Sequence, residues 1–298
     1  FGIMAAWCLA VGAAALTGCG AKEADNKITV ESASEAPETK PIEIETEAPE
    51  TEAPETEAAD PDEQEPRVEK DGMIRSYLTG EMVPVSQGNR RPLAIMMSND
   101  KAALPQYGIN RAGVVYEAPV EATMNRYLAV MEDYDDLTRI GSVRSCRTYY
   151  VYFAREFDAI YAHFGQSTFA KPYLKFVDNI NGIEGEGSTA YFRSKDKKSP
   201  HNSYASFGGI QRAIDKLGYS QEYDADYDGH FKFAKEGTQA VMHGADVREA
   251  YKVTPGYKLN NPWFEYHEDD GLYYRFQYGG PHMGNEGQIA VKNIIIQY

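Results

Sequence analysis

Four short clusters hold the residue types best able to do chemistry. The first is Ile140-Gly141-Ser142-Val143-Arg144-Ser145-Cys146-Arg147. It precedes a segment, Thr148 to Phe157, whose apolar and aromatic residues recur at three- and four-residue spacing and so predict a helix. Ser145 is the expected N-cap. An arginine at a helix N-terminus opposes the macrodipole by ~0.3–1 kcal/mol. Arg144 and Arg147 are therefore well placed only if an anion lies against them. That anion is either a ligand phosphate or carboxylate, gripped by guanidinium forks and backbone N–H groups, or an acid of the chain itself. The internal acid is the commoner case.

The second cluster, Tyr116-Glu117-Ala118-Pro119-Val120-Glu121, supplies two acids for that internal role. On an ideal strand Glu117 and Glu121 share a face but lie about 13 Å apart, too far for paired-carboxylate chemistry unless Pro119 bends the chain. They are expected as structural ion-pair partners of Arg126, Arg144 or Arg147. Third is His163-Phe164-Gly165-Gln166-Ser167, where a buried strand ends in glycine and a hydroxyl residue opens the next helix. In α/β architectures ligands gather outside the carboxyl ends of strands. Ser167 is placed either to bind an anion or to cap, and capping is the commoner role. Fourth is Lys197-Lys198-Ser199-Pro200-His201-Asn202, where Pro200 fixes an extended entry and presents His201 and Asn202 on a loop. The candidate ligand-binding set is Arg144, Ser145, Arg147, His163, Ser167, His201 and Asn202.

Other chemistries find less support. The six histidines show no HxH or HxxxH spacing, so no metal or other cofactor is expected. Cys146 is a nucleophile only if a base such as His163 or His201 is brought to it.

The elements that must position these clusters are legible in part. Leu93 to Met97, launched by Pro92, is the first clear strand, followed by apolar segments at 114–116 and 127–131. Asp158 to Phe164 reads as a buried strand, and helices are predicted at 169–178 and 204–217, the latter stopped by Gly218. Trp263 to His267 and Leu272 to Phe276 flank Glu268-Asp269-Asp270-Gly271, a hairpin signal, and Ile289 to Tyr298 has a strand pattern. With 22 tyrosines, the later half predicts β-structure with aromatic cross-strand pairs. The fold class expected from the residues is α+β, in two lobes, the second mostly β.

The beginning of the chain has a different character. Phe1 to Gly18 carries no charged side chain and ends Leu16-Thr17-Gly18-Cys19, which resembles the lipobox of bacterial lipoprotein signal peptides. An apolar stretch partitions into the bilayer during export, and small residues let a membrane-embedded peptidase reach the backbone before the cysteine that takes the lipid. An uncleaved transmembrane helix is the alternative for eighteen apolar residues. No initiator Met or basic leader precedes Phe1, so the numbered chain is expected to lack its true start. Residues 1–18 are thus a candidate signal peptide and Cys19 the candidate lipid-attachment site. Cleavage there leaves Cys146 as the single thiol, which excludes an intrachain disulfide framework.

Residues 19–66 form an acidic linker. Between Gly20 and Pro66 stand 16 acidic residues against Lys22, Lys27 and Lys40, with two copies of Thr-Glu-Ala-Pro-Glu at 46–50 and 51–55 and no aromatic residue. Such a run buries too little apolar surface to order itself, and charge and proline extend it to at most about 3.1 Å per residue. It holds most of the formal net charge of -15, so the region from Arg67 onward is nearly neutral. That region has no electrostatic footprint for nucleic acid.

Taken in order, several of these stretches are similar to the YerB-like lipoprotein family, which has N- and C-terminal domains of unknown function (DUF3048). They are Arg91-Pro92-Leu93-Ala94, Val114-Val115-Tyr116-Glu117 with Glu121, Ile140-Gly141 with Val143-Arg144-Ser145, Asp158-Ala159-Ile160-Tyr161 with His163, and Pro200-His201-Asn202. The likeness covers roughly Arg91 to Leu217 and is weaker through Ile289 to Gln297. Ser142 departs from an expected proline, Ala122-Thr123-Met124-Asn125 from a glycine-rich stretch, and Cys146 from a small non-thiol residue. The resemblance implies a layered α/β sandwich as the N-terminal domain, at 67–223. It also implies a β-rich C-terminal domain, at 224–298, which is expected to continue past Tyr298. It implies no activity.

The reading these observations favour is an extracytoplasmic lipoprotein on the outer face of the bacterial cytoplasmic membrane, anchored through Cys19 and binding an anionic or sugar-like envelope component. One alternative is a hydrolase or transferase of an envelope polymer, with His163 or His201 as general base. Another is a scaffold recruiting an envelope protein, with the arginines purely structural.

Overall fold

A five-stranded mixed sheet is built from the longest apolar runs in the sequence. The computed structural model describes residues 66–234 and 250–297. Phe1 to Gly18, Cys19 and most of the acidic linker therefore lie outside the described residues. Strand order across the sheet is Val114–Pro119, Asn125–Met131, Leu93–Ser98, Ile160–His163 and Asn179–Asn181. The first three pair antiparallel with one another, whereas Leu93–Ser98, Ile160–His163 and Asn179–Asn181 are mutually parallel.

Both faces of this sheet are covered, which is why its central strands read as continuous apolar runs. All residues of Leu93–Ser98 and of Asn125–Met131 are buried. Side chains alternate across the pleat. Leu93, Ile95, Met97, Ala129 and Met131 face one layer, where helix Phe207–Leu217 contributes Ile210, Ala213 and Ile214. Ala94, Met96, Leu128 and Val130 face the other, where helix Thr148–Arg155 contributes Tyr150, Val151 and Ala154. The result is a layered α/β sandwich, and truncating a central residue such as Ile95 to alanine is expected to cost about 2–5 kcal/mol.

The helix on the first face has both ends defined by sequence. Ser206 Oγ accepts from the Gly209 N–H (3.2 Å) as N-cap, and Gly218, at φ +70°, closes the helix in the left-handed region. The structure differs here from the predicted helix at 204–217, because Ser203–Ala205 is a strand pairing with Ile140–Gly141 and Tyr191–Arg193. Within the predicted helix at 169–178 there is a six-residue 3-10 helix, Lys171–Phe176, with Pro172 in its first turn. Ser145 is not the N-cap of Thr148–Arg155. Arg147 occupies that position and makes no side-chain cap, while Ser145 Oγ donates to the Phe164 carbonyl (3.1 Å).

The later part of the chain is β-rich. Trp263–His267 and Leu272–Gln277 form the predicted hairpin in a register that sets Trp263 opposite Phe276 and Tyr266 opposite Tyr273. The Trp263 and Phe276 rings stack at 5.0 Å and those of Tyr266 and Tyr273 lie 5.1 Å apart. Only Ala290–Val291 of the predicted strand at 289–298 is a strand among the described residues. This hairpin packs against the central sheet through polar contacts. Arg275 grips Glu117 with both oxygens engaged (2.9 and 3.0 Å), and Tyr278 Oη donates to the Asn99 carbonyl (2.8 Å). The fold is α+β. Among the described residues no helix is long and apolar enough to cross a membrane.

Candidate functional site

The carboxyl end of the Leu93–Ser98 strand opens into a cleft of about 220 Å³. Ser98, Asn99 and Asp100 form one wall, Met124, Asn125 and Arg126 another, and Arg144, Pro200 and His201 the third. Three separate elements converge there, and each arrives for a local reason. Asn125 and Arg126 begin a strand paired throughout with Leu93–Ser98, so Ser98 stands directly opposite Arg126. Residues 140–144 zip into the end of the same strand. The Ser98 N–H donates to the Ser142 carbonyl (2.9 Å), and the Arg144 N–H donates to the Met96 carbonyl (3.0 Å). Arg144 then reaches across, and its Nη1 donates to the Pro200 carbonyl (2.9 Å), which ties the 197–202 loop to the rim.

The cleft carries a net positive charge, two guanidiniums against the Asp100 carboxylate. Arg126 is only 6% exposed and donates a single hydrogen bond, from Nη1 to the Ser145 carbonyl (2.6 Å). Neither Arg126 nor Arg144 forms an ion pair with a carboxylate of the described residues. Burial, with Arg147 and Arg144 close by, lowers the Arg126 guanidinium to about 10. Burial also lowers that of Arg144, with Asp100 opposing and Arg147 and Arg193 adding to the fall. Arg147 alone of the three has its own acid. Its Nε and Nη2 bind the two oxygens of Glu121 at 2.6 and 2.5 Å. His201 Nε2 lies 3.7 Å from the Asp100 carboxylate, and burial lowers the ring's pKa, so it is neutral at neutral pH.

The sequence candidates divide accordingly. Arg144 and His201 line the cleft. Ser145, Arg147, His163, Ser167 and Asn202 do not. His163 is fully buried, with Nδ1 on the Gly165 carbonyl (2.8 Å) and Nε2 on Asn179 Oδ1 (3.2 Å), so it is a locked structural residue rather than a general base. Ser167 Oγ accepts from the Ala170 N–H (3.1 Å) and shapes a turn. Asn202 Oδ1 accepts from Arg193 Nη1 (2.7 Å). Burial raises the Cys146 thiol to about 11, which removes its nucleophilicity at neutral pH. Of the expected ion pairs, Glu121 takes Arg147, whereas Glu117 takes Arg275, a partner from beyond the sequence clusters. Sequence reasoning missed Ser98, Asn99, Asp100, Asn125 and Arg126. The available signals were a polar triplet directly after an apolar strand and a lone charge opening another. Among the described residues no group of His, Cys, Asp and Glu gathers to hold a metal ion.

Fold and cleft together define a layered α+β protein with a cationic cleft at the carboxyl end of its first central strand. Residues 78–220 match the family described as "Protein of unknown function (DUF3048) N-terminal domain". "Putative lipoprotein YerB" of Bacillus subtilis (strain 168) is 33% identical over 193 residues, covering 63% of this chain and 54% of that protein. The chain thus spans about half the length of this relative. The crystal structure of YerB protein from Bacillus subtilis superposes with a TM-score of 0.60 at 28% identity, covering 72% of this chain and 71% of that one. Residues 78–220 thus carry the DUF3048 N-terminal domain, and the chain is similar to YerB beyond it.

Proposed function

We propose that this protein is an exported lipoprotein, held through Cys19 at the outer face of the bacterial cytoplasmic membrane, whose cleft binds an anionic group of a cell-envelope component. Two things support the anchoring: the Leu16-Thr17-Gly18-Cys19 motif after an uncharged stretch, and the description of a relative as a lipoprotein. Labelling cells with a fatty-acid analogue tests it, since the label should appear on the wild-type chain and vanish in Cys19→Ser.

The single observation that carries the binding reading is Arg126, a buried guanidinium with no carboxylate partner among the described residues, sharing a cleft with Arg144, which among them has none either. Burying an unpaired charge costs several kcal/mol. An oxyanion seated between the two groups would offset that cost through charge-assisted, bidentate hydrogen bonds. Inorganic phosphate is the simplest probe. At about ten times its Kd it adds roughly 1.4 kcal/mol to stability, and for a domain of this size that raises Tm by a few degrees. The rise should exceed that in chloride of equal ionic strength and be lost in Arg144→Ala. Equal shifts in wild type and Arg144→Ala would remove the cleft from consideration.

A further inference from the structure

The cleft holds a carboxylate beside its two guanidiniums, and the opposite charges do not meet. The Asp100 carboxylate is in the cleft itself: it lies 3.7 Å from His201 Nε2 on another wall, its side chain is 35% exposed, and its charge acts on Arg144. Yet among the described residues no ion pair joins Asp100 to Arg126 or Arg144. Each of the three charges is anchored to backbone instead. Asp100 Oδ1 accepts from the Ala102 N–H (2.8 Å), Arg144 Nη1 donates to the Pro200 carbonyl (2.9 Å), and Arg126 Nη1 donates to the Ser145 carbonyl (2.6 Å). Among the described residues no donor reaches Asp100 Oδ2, and His201, neutral at neutral pH, does not balance the acid. Opposite charges lining one small space attract, so holding them apart leaves a site with a positive and a negative end.

We propose that the anionic group taken by this cleft carries an ammonium a few bonds away, as in an aminoalkyl phosphate, with the anion on Arg126 and Arg144 and the ammonium on Asp100. This rests on the anion-binding reading of the same cleft. The charges match: two guanidiniums and one carboxylate leave a single positive charge, and a doubly ionised phosphate with one ammonium leaves a single negative one. Further cations act on the rim, Arg147 and Arg193 on Arg144 and Lys197 on His201. Overall charge therefore favours a plain dianion, and a preference for the zwitterion has to come from a local acid. The volume of about 220 Å³ lies below the roughly 300–1,000 Å³ of pockets for drug-sized ligands. Both charges must therefore belong to one small unit, either free or displayed through a phosphodiester.

Titration calorimetry on the full chain at pH 7.5 tests this with inorganic phosphate, ethyl phosphate, phosphoethanolamine and glycerophosphoethanolamine. Phosphoethanolamine is expected to bind at least about tenfold more tightly than ethyl phosphate, which lacks only the amine. In Asp100→Asn that ratio should fall below about twofold, while inorganic phosphate binds no more weakly than to wild type. Asparagine keeps the bond to the Ala102 N–H, so the substitution removes the charge and not the turn. Should Asp100→Asn not fold, the comparison of the two phosphates on wild type decides alone. With that preference established, tighter binding of glycerophosphoethanolamine than of phosphoethanolamine supports the zwitterion with a phosphodiester as its source, and the reverse order supports it as a free monoester. An affinity for ethyl phosphate equal to or above that for phosphoethanolamine would overturn the ammonium and leave the anion site standing, as would a preference that survives in Asp100→Asn. No binding of any of the four would overturn both.

Discussion

Arg126 uses one of its five donors, and its nearest counter-charge, Glu121, is committed elsewhere. Glu121 is the more informative residue of the two. Its carboxylate is 63% exposed, so its pair with Arg147 adds only about 0–1 kcal/mol to stability. The pair's consequence is electrostatic. Arg147 holds the Glu121 carboxyl at about 2, so the acid remains ionised and bound to Arg147 at every pH near neutral. Glu121 thereby offsets the charge of Arg147, which lies outside the cleft but acts electrostatically on Arg126 within it. Glu121→Gln is therefore expected to change stability by less than about 1 kcal/mol. The same variant should raise phosphate affinity several-fold, as read by calorimetry at low salt. A lower affinity in the variant would mean that Glu121 helps to build the cleft rather than compete with it. The two arginines around which the sequence argument turned thus split: one is neutralised from within, the other is not. Arg126 was hidden because a charge opening an apolar strand looks the same whether it is capped by solvent or buried.

At the scale of elements, the segment 140–144 does the positioning, and Gly141 makes it possible. Gly141 sits at φ +135°, and a Cβ there would meet the Val143 backbone nitrogen at 2.7 Å. Around it the chain exchanges hydrogen bonds with Tyr107 (2.7 and 3.0 Å), and the Val143 N–H reaches the Ser203 carbonyl (2.7 Å) before Arg144 is delivered to the rim. Gly141→Ala is expected to destabilise by about 1–3 kcal/mol, from the backbone strain alone, and to weaken phosphate binding along with it. A urea midpoint within error of wild type would contradict this. Sequence pattern makes legible those elements whose apolar runs are long or whose turn chemistry is explicit, such as Leu93–Ser98 and the Trp263–His267 hairpin. It fails where two elements abut without a break. Ser203-Tyr204-Ala205 continues smoothly into the helical pattern, and only the hydroxyl of Ser206 marks the junction. Pro172 shows a related ambiguity, since proline opens a 3-10 turn as readily as an α-helix. His163 was misplaced for a different reason. A strand covered on both faces gives no alternation, so nothing in the pattern says whether its last residue faces core or cleft.

Across the whole molecule, one buried network joins the β-rich segment to the sheet that carries the cleft. Arg275 spans it, with Glu117 on one side and His282 on the other. Arg275 Nη1 donates to His282 Nδ1 (2.7 Å), so the imidazole proton sits on Nε2 and is donated to Gln106 Oε1 (2.8 Å). His282 is thereby a neutral ring wedged against a guanidinium, and protonating it would set two cations face to face. Burial, reinforced by Arg275, drops its pKa from the ordinary 6.5 to about 2. In the unfolded chain the ring takes a proton near 6.5, while in the folded protein it does so only near 2. Below pH 6.5 protons therefore favour the unfolded chain. The contribution of this group is complete above that pH and erodes as pH falls, by up to about 1.4 kcal/mol per pH unit. His163 and His201 are also lowered by burial and add to the wild-type slope, so wild type alone does not isolate the effect. His282→Gln does, because a glutamine oxygen can accept from Arg275 and its amide can donate to Gln106 without titrating. Urea unfolding at pH 7.5, 6.5 and 5.5 should show the variant losing stability less steeply than wild type, by about one proton's worth of slope below pH 6.5. Parallel profiles for the two proteins would mean that His282 is hydrated or already charged. Arg275 would then hold Glu117 without a neutral imidazole behind it.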